Sequence, residues 1–258
     1  MTVDQETQRL IALLRSKLPI IGSVTAAEFR EVQAQIAALA PKGPDLARVE
    51  DIMIDTRVGS LPACLYVPIG SPAGIILYVH GGGWTIGSIA SSDHTVRVLA
   101  ERTSCFVVSI DYRLAPEHPF PAAVEDVMLA LHWTAQQRSH IAGFPIPLIV
   151  AGDSAGANLS AVASILMRDT NGPSIAAQIL IYPSTRGDID APALQEFDAP
   201  FLRGARSNGF LINTFRIGRS ERTLASRPWR RKIFPACLRH SSSRPKMISC
   251  VAKQRTMA

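Results

Sequence analysis

The chain has 258 residues, 47% of them hydrophobic, which is enough for one sizeable α/β domain with a buried core. It contains no run of eighteen apolar residues, so we expect no membrane span. Its polar, acidic first residues lack the pattern of a signal peptide, so we expect a cytoplasmic protein. The cysteines are scattered without a C-x-x-C pair, which argues against a zinc site and against disulfides; they are Cys64, Cys105, Cys237 and Cys250.

The formal net charge of +6 is distributed unevenly along the chain. Residues 202–258 hold fourteen of the 27 lysines and arginines and one of the 21 acidic residues, Glu221, so this tail carries +13. Residues 1–201 hold the other thirteen basic and twenty acidic residues and carry −7. One interpretation of the tail is an arm that binds nucleic acid or an acidic membrane surface.

Two helices and a hairpin are predicted at the start of the chain. Apolar residues recur at helical spacing within residues 1–45, first around Ile11 and again over residues 26–39. Two strands follow, over residues 49–57 and 61–67, with residues 59–60 as the turn between them.

The middle of the chain alternates between buried strands and helices. Continuous apolar runs predict strands over residues 73–80, 104–110, 147–150 and 176–182. Helices are predicted from Ser91 or Ser92 to residue 98, over residues 122–137, and over residues 159–167. This alternation predicts an α/β fold with a mainly parallel sheet covered by helices on both faces.

A serine turn is predicted where one of these strands meets a helix. Gly152, Ser154 and Gly156 match G-x-S-x-G, the sharp turn that exposes a serine for nucleophilic attack. The glycines are needed because the turn is tight and the strand and helix approach each other closely. The alternative interpretation of Ser154 is a helix N-cap.

Three successive glycines, Gly81, Gly82 and Gly83, follow the strand over residues 73–80 and reach the same carboxyl edge of the sheet. A serine that attacks an ester creates a tetrahedral oxyanion, which unobstructed backbone N–H groups can stabilise. The glycines supply such donors, and Ala155, directly after the serine, supplies another. The alternatives are a flexible turn or a phosphate nest, and the G-x-G-x-x-G pattern of a dinucleotide loop is absent.

Three motifs together resemble those of the hormone-sensitive-lipase family of α/β-hydrolases, the HGGG esterases or bacterial family IV. They are residues 80–84 (H-G-G-G-W), 111–117 (D-Y-R-L-A-P-E) and 152–158 (G-D-S-A-G-A-N). The resemblance extends to about Phe201. It implies an α/β-hydrolase domain over residues 1–201, with residues 1–45 as a helical cap and residues 46–201 as the core.

The resemblance also implies a reaction and a set of roles. The implied reaction is hydrolysis of short-chain carboxylic esters through an acyl-enzyme, with a small-molecule ester as partner and no metal or cofactor. The roles fall on seven residues: Ser154 as nucleophile, Gly82, Gly83 and Ala155 as the oxyanion hole, and His80, Gly81 and Asp153 as support of the site loop.

The acid and the histidine that complete a serine triad are missing from the sequence. In this fold they follow the serine in the order acid, then histidine. The only histidine after Ser154 is His240, which no strand precedes and no glycine follows, so we interpret it as a solvated tail residue. The sequence therefore predicts a nucleophile and an oxyanion hole without a competent base.

We hypothesise that residues after about Leu202 are read in the wrong frame. Sliding each codon back by one base lets residues 232–240 encode E-D-L-S-R-L-P-P-A and residues 241–248 encode L-V-I-T-A-E-D-D. This string resembles the family strand that precedes the catalytic acid. A shifted frame explains the charge of the tail without a nucleic-acid or membrane partner, and we expect residues 202–258 to be largely disordered, with the C-terminal strands of the fold missing.

The sequence therefore supports two alternative functions. The first is an ester hydrolase by descent, impaired in this chain because the triad acid and base are absent. The second is an inactive scaffold of the same fold that binds small molecules. The sequence leaves the acyl length, the alcohol and the oligomeric state open.

Overall fold

The computed structural model of the protein describes residues 4–17, 19, 23–56 and 59–184. The helices in this part of the chain are α1 (Gln5–Lys17), α2 (Ala26–Leu39), α3 (Ile89–Thr103), α4 (Ala122–Ala142) and α5 (Ser154–Asp169). The strands are β1 (Arg48–Thr56), β2 (Gly59–Val67), β3 (Gly74–Val79), β4 (Cys105–Ile110), β5 (Leu148–Asp153) and β6 (Ala177–Ile181).

The six strands form one sheet in the order β1-β2-β4-β3-β5-β6. β3 pairs in parallel with β4 and with β5, and β5 pairs in parallel with β6, whereas β1 and β2 join the edge in antiparallel pairs. Val79 is the register partner of Gly152. The segments that leave β3 and β5 therefore emerge side by side at one edge of the sheet.

Alternate residues of β3 point to opposite faces of the sheet, and both faces are covered. Leu77 and its neighbours at spacing two lie in one apolar cluster with Leu131 of α4 and Leu159 of α5. Ile76 lies in a second cluster with Val96 of α3. A strand buried on both faces has a continuous apolar sequence, which is why β3 was recognisable. The predicted α/β fold with helices on both faces is confirmed.

The predicted start of α3 at Ser91 or Ser92 is wrong. The helix begins at Ile89, and Ser88 is its N-cap. The Ser88 hydroxyl accepts a hydrogen bond from the Ser91 amide at 3.1 Å, and the Ser91 hydroxyl accepts one from the Ser88 amide at 2.9 Å. This reciprocal pair is a capping box, so Ser91 stands three residues inside the helix that it was predicted to begin.

The bounds of several other helices and strands also differ from those predicted. Gly59 is the register partner of Thr56, so Gly59 and Ser60 are the first residues of β2 rather than the turn. α4 continues five residues past its predicted end and stops at Gly143, whose φ of 78° is the left-handed conformation that glycine adopts most readily. β5 reaches Asp153, and α5 begins at Ser154 itself.

An ion pair joins the segment that follows β4 to α4. Asp126 is buried and accepts hydrogen bonds from the Arg113 amide at 2.8 Å and from the Arg113 guanidinium at 2.8 to 3.0 Å. The carboxylates of Asp126 and Glu125 raise the pKa of Arg113 above its ordinary value. The pair therefore fixes the chain after β4 on the first turns of α4.

We expect Asp126→Asn to lower the free energy of unfolding by about 2 kcal/mol. The substitution removes the buried anionic partner of Arg113. The loss is moderated because the guanidinium is partly exposed and water screens its charge. Urea unfolding measures the change. The matched control is Glu125→Gln: Glu125 contacts the same arginine at 3.2 Å but is 57% exposed, so its loss is expected to change stability by less than about 0.5 kcal/mol. Equal losses of stability in the two variants would contradict the conclusion that the buried pair of Asp126 and Arg113 is the stabilising one.

Within the described residues, no helix combines the length and the apolar character needed to cross a bilayer.

Candidate active site

Ser154 lies at the tightest point between β5 and α5. It is the first residue of α5 and has a φ of 50°, in the left-handed region that a residue with a side chain rarely adopts. The N-cap position belongs to Asp153, so the alternative interpretation of Ser154 as an N-cap is wrong. A strained serine at a strand-to-helix turn is the geometry that G-x-S-x-G predicts.

The two glycines of this motif allow backbone segments to approach closely. A Cβ added to Gly152 would lie 2.6 Å from the carbonyl oxygen of Val79. A Cβ on Gly156 would collide with the carbonyl oxygens of Val79 and His80. Both glycines therefore hold the serine turn against the end of β3, where any side chain would push it away.

We call residues 81–87, which follow β3, the glycine loop. The loop turns at Gly82, whose carbonyl accepts hydrogen bonds from the amides of Thr85 at 3.1 Å and Ile86 at 3.0 Å. Gly82 has a φ of 120° and Gly83 a φ of 59°. These values explain why a run of glycines stands here, since side chains disfavour both conformations.

Asp153 joins the glycine loop to the serine turn. Its Oδ1 accepts hydrogen bonds from the Gly81 amide and from the Tyr78 hydroxyl, both at 2.8 Å. Its Oδ2 accepts a longer bond of 3.4 Å from the Tyr182 hydroxyl. Burial raises the pKa of Tyr78, and the neighbouring Asp153 carboxylate adds to that shift, so the phenol remains a donor. Asp153, directly before the serine, thus fixes the start of the glycine loop.

His80 is buried directly before the glycine loop. Its Nδ1 lies 2.7 Å from the Gly81 carbonyl oxygen, which can only accept, so we place the ring proton on Nδ1. Its ring stacks on Tyr112, with centroids 4.3 Å apart and an angle of 18° between the planes. The Tyr112 hydroxyl donates to the His80 carbonyl at 3.0 Å. His80 therefore fixes the first peptide of the loop.

The other ring nitrogen of His80 has no hydrogen-bond partner among the described residues. It faces Asp111 Oδ1 at 3.9 Å. Burial lowers the pKa of His80 and raises the pKa of Asp111. The Ile89 amide, which donates to Asp111 Oδ1 at 2.6 Å, opposes part of the shift on Asp111. The imidazole of His80 is fixed by its hydrogen bond to the Gly81 carbonyl and by its stacking on Tyr112, which suits it to support the glycine loop.

The described residues bring together the seven predicted site positions at the ends of β3 and β5. No histidine forms a hydrogen bond with Ser154 in this part of the chain. His240 and the whole tail over residues 202–258 lie outside the described residues, so their predicted roles stay predictions. Nor does any cluster of three His, Cys, Asp or Glu side chains in the described ranges have the arrangement of a metal site.

Two contributors to the site were missed by sequence reasoning. Tyr78 lies in the apolar run that predicts β3, and a tyrosine in a buried strand signals a hydroxyl that needs a partner. Asp111 belongs to the motif over residues 111–117. Its position directly after β4, at the carboxyl edge of the sheet, was the available signal.

A mostly parallel sheet that presents a strained serine turn beside a glycine loop defines an α/β-hydrolase. The sequence profile of the alpha/beta hydrolase fold matches residues 76–234. The chain belongs to the α/β-hydrolase family, among the esterases related to hormone-sensitive lipase that its motifs resemble. The match continues past Phe201 into the tail, and the shifted frame stays a hypothesis.

Several relatives of the chain are named as esterases. The chain is 42% identical over 202 residues to carboxylesterase NlhH of Mycobacterium tuberculosis, an alignment that covers 75% of this chain and 62% of the relative. It is 43% identical over 167 residues to esterase LipI of the same organism, covering 63% and 52%. Among solved structures, the hyperthermophilic esterase of the archaeon Pyrobaculum calidifontis is 33% identical with a TM-score of 0.70, covering 83% of this chain and 71% of that one. The chain thus spans less than two thirds of the length of these two mycobacterial relatives.

Proposed function

We propose that the protein is a carboxylic ester hydrolase by descent, with Ser154 as its nucleophile. The observation that carries the proposal is the hydrogen bond from the Gly81 amide to Asp153, because it joins the glycine loop to the serine turn. The names of the relatives support ester hydrolysis, and short-chain esters are the proposed substrates because the family that the motifs resemble acts on them.

The proposed chemistry is acyl transfer in two stages. Ser154 Oγ attacks the carbonyl carbon of the ester, and the tetrahedral intermediate expels the alcohol to leave an acyl-enzyme. Water then attacks the acyl group and releases the acid and the free serine. A base must accept the serine proton and return it to the departing alcohol, which is the work of a triad histidine.

The oxyanion hole is proposed to consist of the amides of Gly82, Gly83 and Ala155. The left-handed φ values of Gly82 and Gly83 support this assignment, because they permit successive amides to turn toward one point. Each donor of this kind contributes roughly 3 kcal/mol of transition-state stabilisation. His80, Gly81 and Asp153 are proposed to support the loop rather than to react.

The proposed organisation follows from these roles. Residues 1–45 form a cap over the acyl pocket, residues 46–201 form the catalytic core, and residues 202–258 are an out-of-frame tail. Two hydrogen bonds between α2 and the glycine loop support the placement of the cap: Arg30 donates to the Thr85 carbonyl, and the Gly87 amide donates to Gln33. Because the triad acid and histidine are absent from the sequence, we propose that this chain is impaired in turnover.

A fluorophosphonate probe tests the nucleophile. We expect slow covalent labelling of the full chain, with one adduct on Ser154 in the mass spectrum, because the oxyanion donors remain although no base activates the hydroxyl. Ser154→Ala is expected to abolish the adduct.

The matched control is Ser164→Ala, which removes a buried hydroxyl from the same helix, bonded to the Ser160 carbonyl at 2.8 Å. Labelling should persist in this variant. Binding of an ester analogue without any adduct, in this chain and in a frame-restored chain, would favour the small-molecule-binding scaffold over the hydrolase.

A further inference from the structure

One arginine on α2 contacts two separate segments of the chain, the glycine loop and the segment that follows β4. Arg30 Nε donates to the Thr85 carbonyl at 2.7 Å, and Nη2 donates to the Ala115 carbonyl at 2.6 Å. Nη1 and Nη2 also donate to the two carboxylate oxygens of Glu117 at 3.0 and 2.9 Å. Four of the five N–H donors of the guanidinium are thereby used.

These contacts enclose the far end of the glycine loop. Thr85 lies inside the loop, and the Ala115 amide donates to the carbonyl of the preceding residue, Trp84, at 2.9 Å. Arg30 bonds the carbonyl of that same Ala115. One guanidinium therefore ties the loop and the segment that supports it to a single helix.

A second side chain of α2 adds to the attachment. Gln33 lies three residues after Arg30, on the same face of the helix, and its Oε1 accepts a hydrogen bond from the Gly87 amide at 3.0 Å. Gly87 has a φ of 96°, and a Cβ there would collide with His80 and with the Gly81 carbonyl. The last residue of the loop is thus held by α2 at a point where the loop folds back on its own start.

The planar guanidinium is suited to this task because its donors diverge at fixed angles. Glu117 holds it in one orientation by a bidentate pair, and Arg30 in turn lowers the pKa of Glu117. A loop rich in glycine samples many conformations unless hydrogen bonds restrict it. Arg30 supplies such restriction to a loop that has Asp153 as its anchor at the other end.

We propose that Arg30 is a positioning residue. It fixes the glycine loop through Thr85 and Ala115, so that the amide N–H groups of the loop stay oriented toward the oxyanion. The proposal rests on the proposed function for the role of those amides, while the attachment itself does not depend on turnover. It follows that α2 and the alignment of the oxyanion donors are coupled: a displacement of this helix loosens the loop.

Hydrogen–deuterium exchange of the full chain tests the attachment without catalysis. Arg30→Met keeps the bulk of the side chain and removes the guanidinium, and we expect amides of residues 81–87 to exchange about tenfold faster. Exchange in β3 should stay unchanged, which separates local loosening from global unfolding.

The matched control is Arg97→Met. Arg97 is also partly buried and holds one carboxylate, Asp93, at 2.7 Å, but it makes no hydrogen bond to the glycine loop among the described contacts. This control should leave exchange in residues 81–87 as it is. Unchanged exchange in Arg30→Met, or an equal increase in Arg97→Met, would overturn the proposal.

The rate of fluorophosphonate labelling at Ser154 gives the functional readout. We expect the second-order rate constant to fall about tenfold in Arg30→Met, because small displacements of catalytic donors have large effects on rate. Arg30→Lys, which keeps the charge and loses the fork, should give an intermediate rate and a folded protein. A labelling rate equal to wild type in the presence of faster loop exchange overturns the positioning role. Absence of labelling in both the wild-type chain and a frame-restored chain overturns the proposed function and leaves the exchange result to decide the attachment.

Discussion

Restoring one base near the codon for Leu202 is expected to raise kcat/KM for p-nitrophenyl esters by about 10⁴-fold or more over the present chain. The reason is the missing base. A hydrolase that has lost triad members keeps only about 10³ to 10⁴-fold catalysis over water, which comes from binding and the oxyanion hole. The present chain has the proposed nucleophile and the glycine loop, and under the shifted-frame hypothesis the restored chain gains the acid and histidine that turnover requires.

The comparison uses both chains at the same concentration with p-nitrophenyl acetate and butyrate. Ser154→Ala in the restored chain is the control, and its activity should fall to the level of the present chain or below. Sequencing the gene across the codons for Phe201 to Asn208 settles the cause independently. Equal activity in the two chains would falsify the account of the missing base.

Gly156→Ala is expected to lower the free energy of unfolding by at least about 3 kcal/mol, since it overpacks a site where the neighbours are backbone atoms. Two effects oppose each other at this position. Alanine is favoured over glycine inside a helix by about 1 kcal/mol. The added Cβ, however, meets the carbonyl oxygens of Val79 and His80, which cannot rotate aside as a side chain could. The collision therefore dominates, and α5 has to separate from β3.

Gly143→Ala is the matched control. Gly143 has a φ of 78° and no heavy atom within 4 Å of an added Cβ, so only backbone strain of about 1 kcal/mol is expected. Urea unfolding of both variants measures the difference. If the two substitutions lower stability equally, the close approach of α5 and β3 is not what requires glycine at position 156.

Ser154 and Gly81 to Gly83 could be found from the sequence because their chemistry depends on neighbours in the chain. The serine turn needs glycine two residues away on either side, and the loop needs glycines in succession. The buried strands were equally visible, since both faces of β3 and β4 are covered and their sequences are continuously apolar.

The contacts of Arg30 could not be found in the same way. Its partners Thr85 and Glu117 lie 55 and 87 residues further along the chain, and no spacing rule relates them. The start of α3 could not be predicted for a different reason: three serines, Ser88, Ser91 and Ser92, compete as caps within five residues, and only the reciprocal bonds of Ser88 and Ser91 decide among them.

The order of the sheet has a consequence for synthesis on the ribosome. Every pairing among the six strands joins segments that end by Ile181, twenty-one residues before Leu202. A growing chain folds as its segments emerge, starting from the N-terminus. These six strands are therefore translated before the ribosome reaches the tail, so a change of frame at Leu202 would leave their sequences and their mutual pairing unaltered.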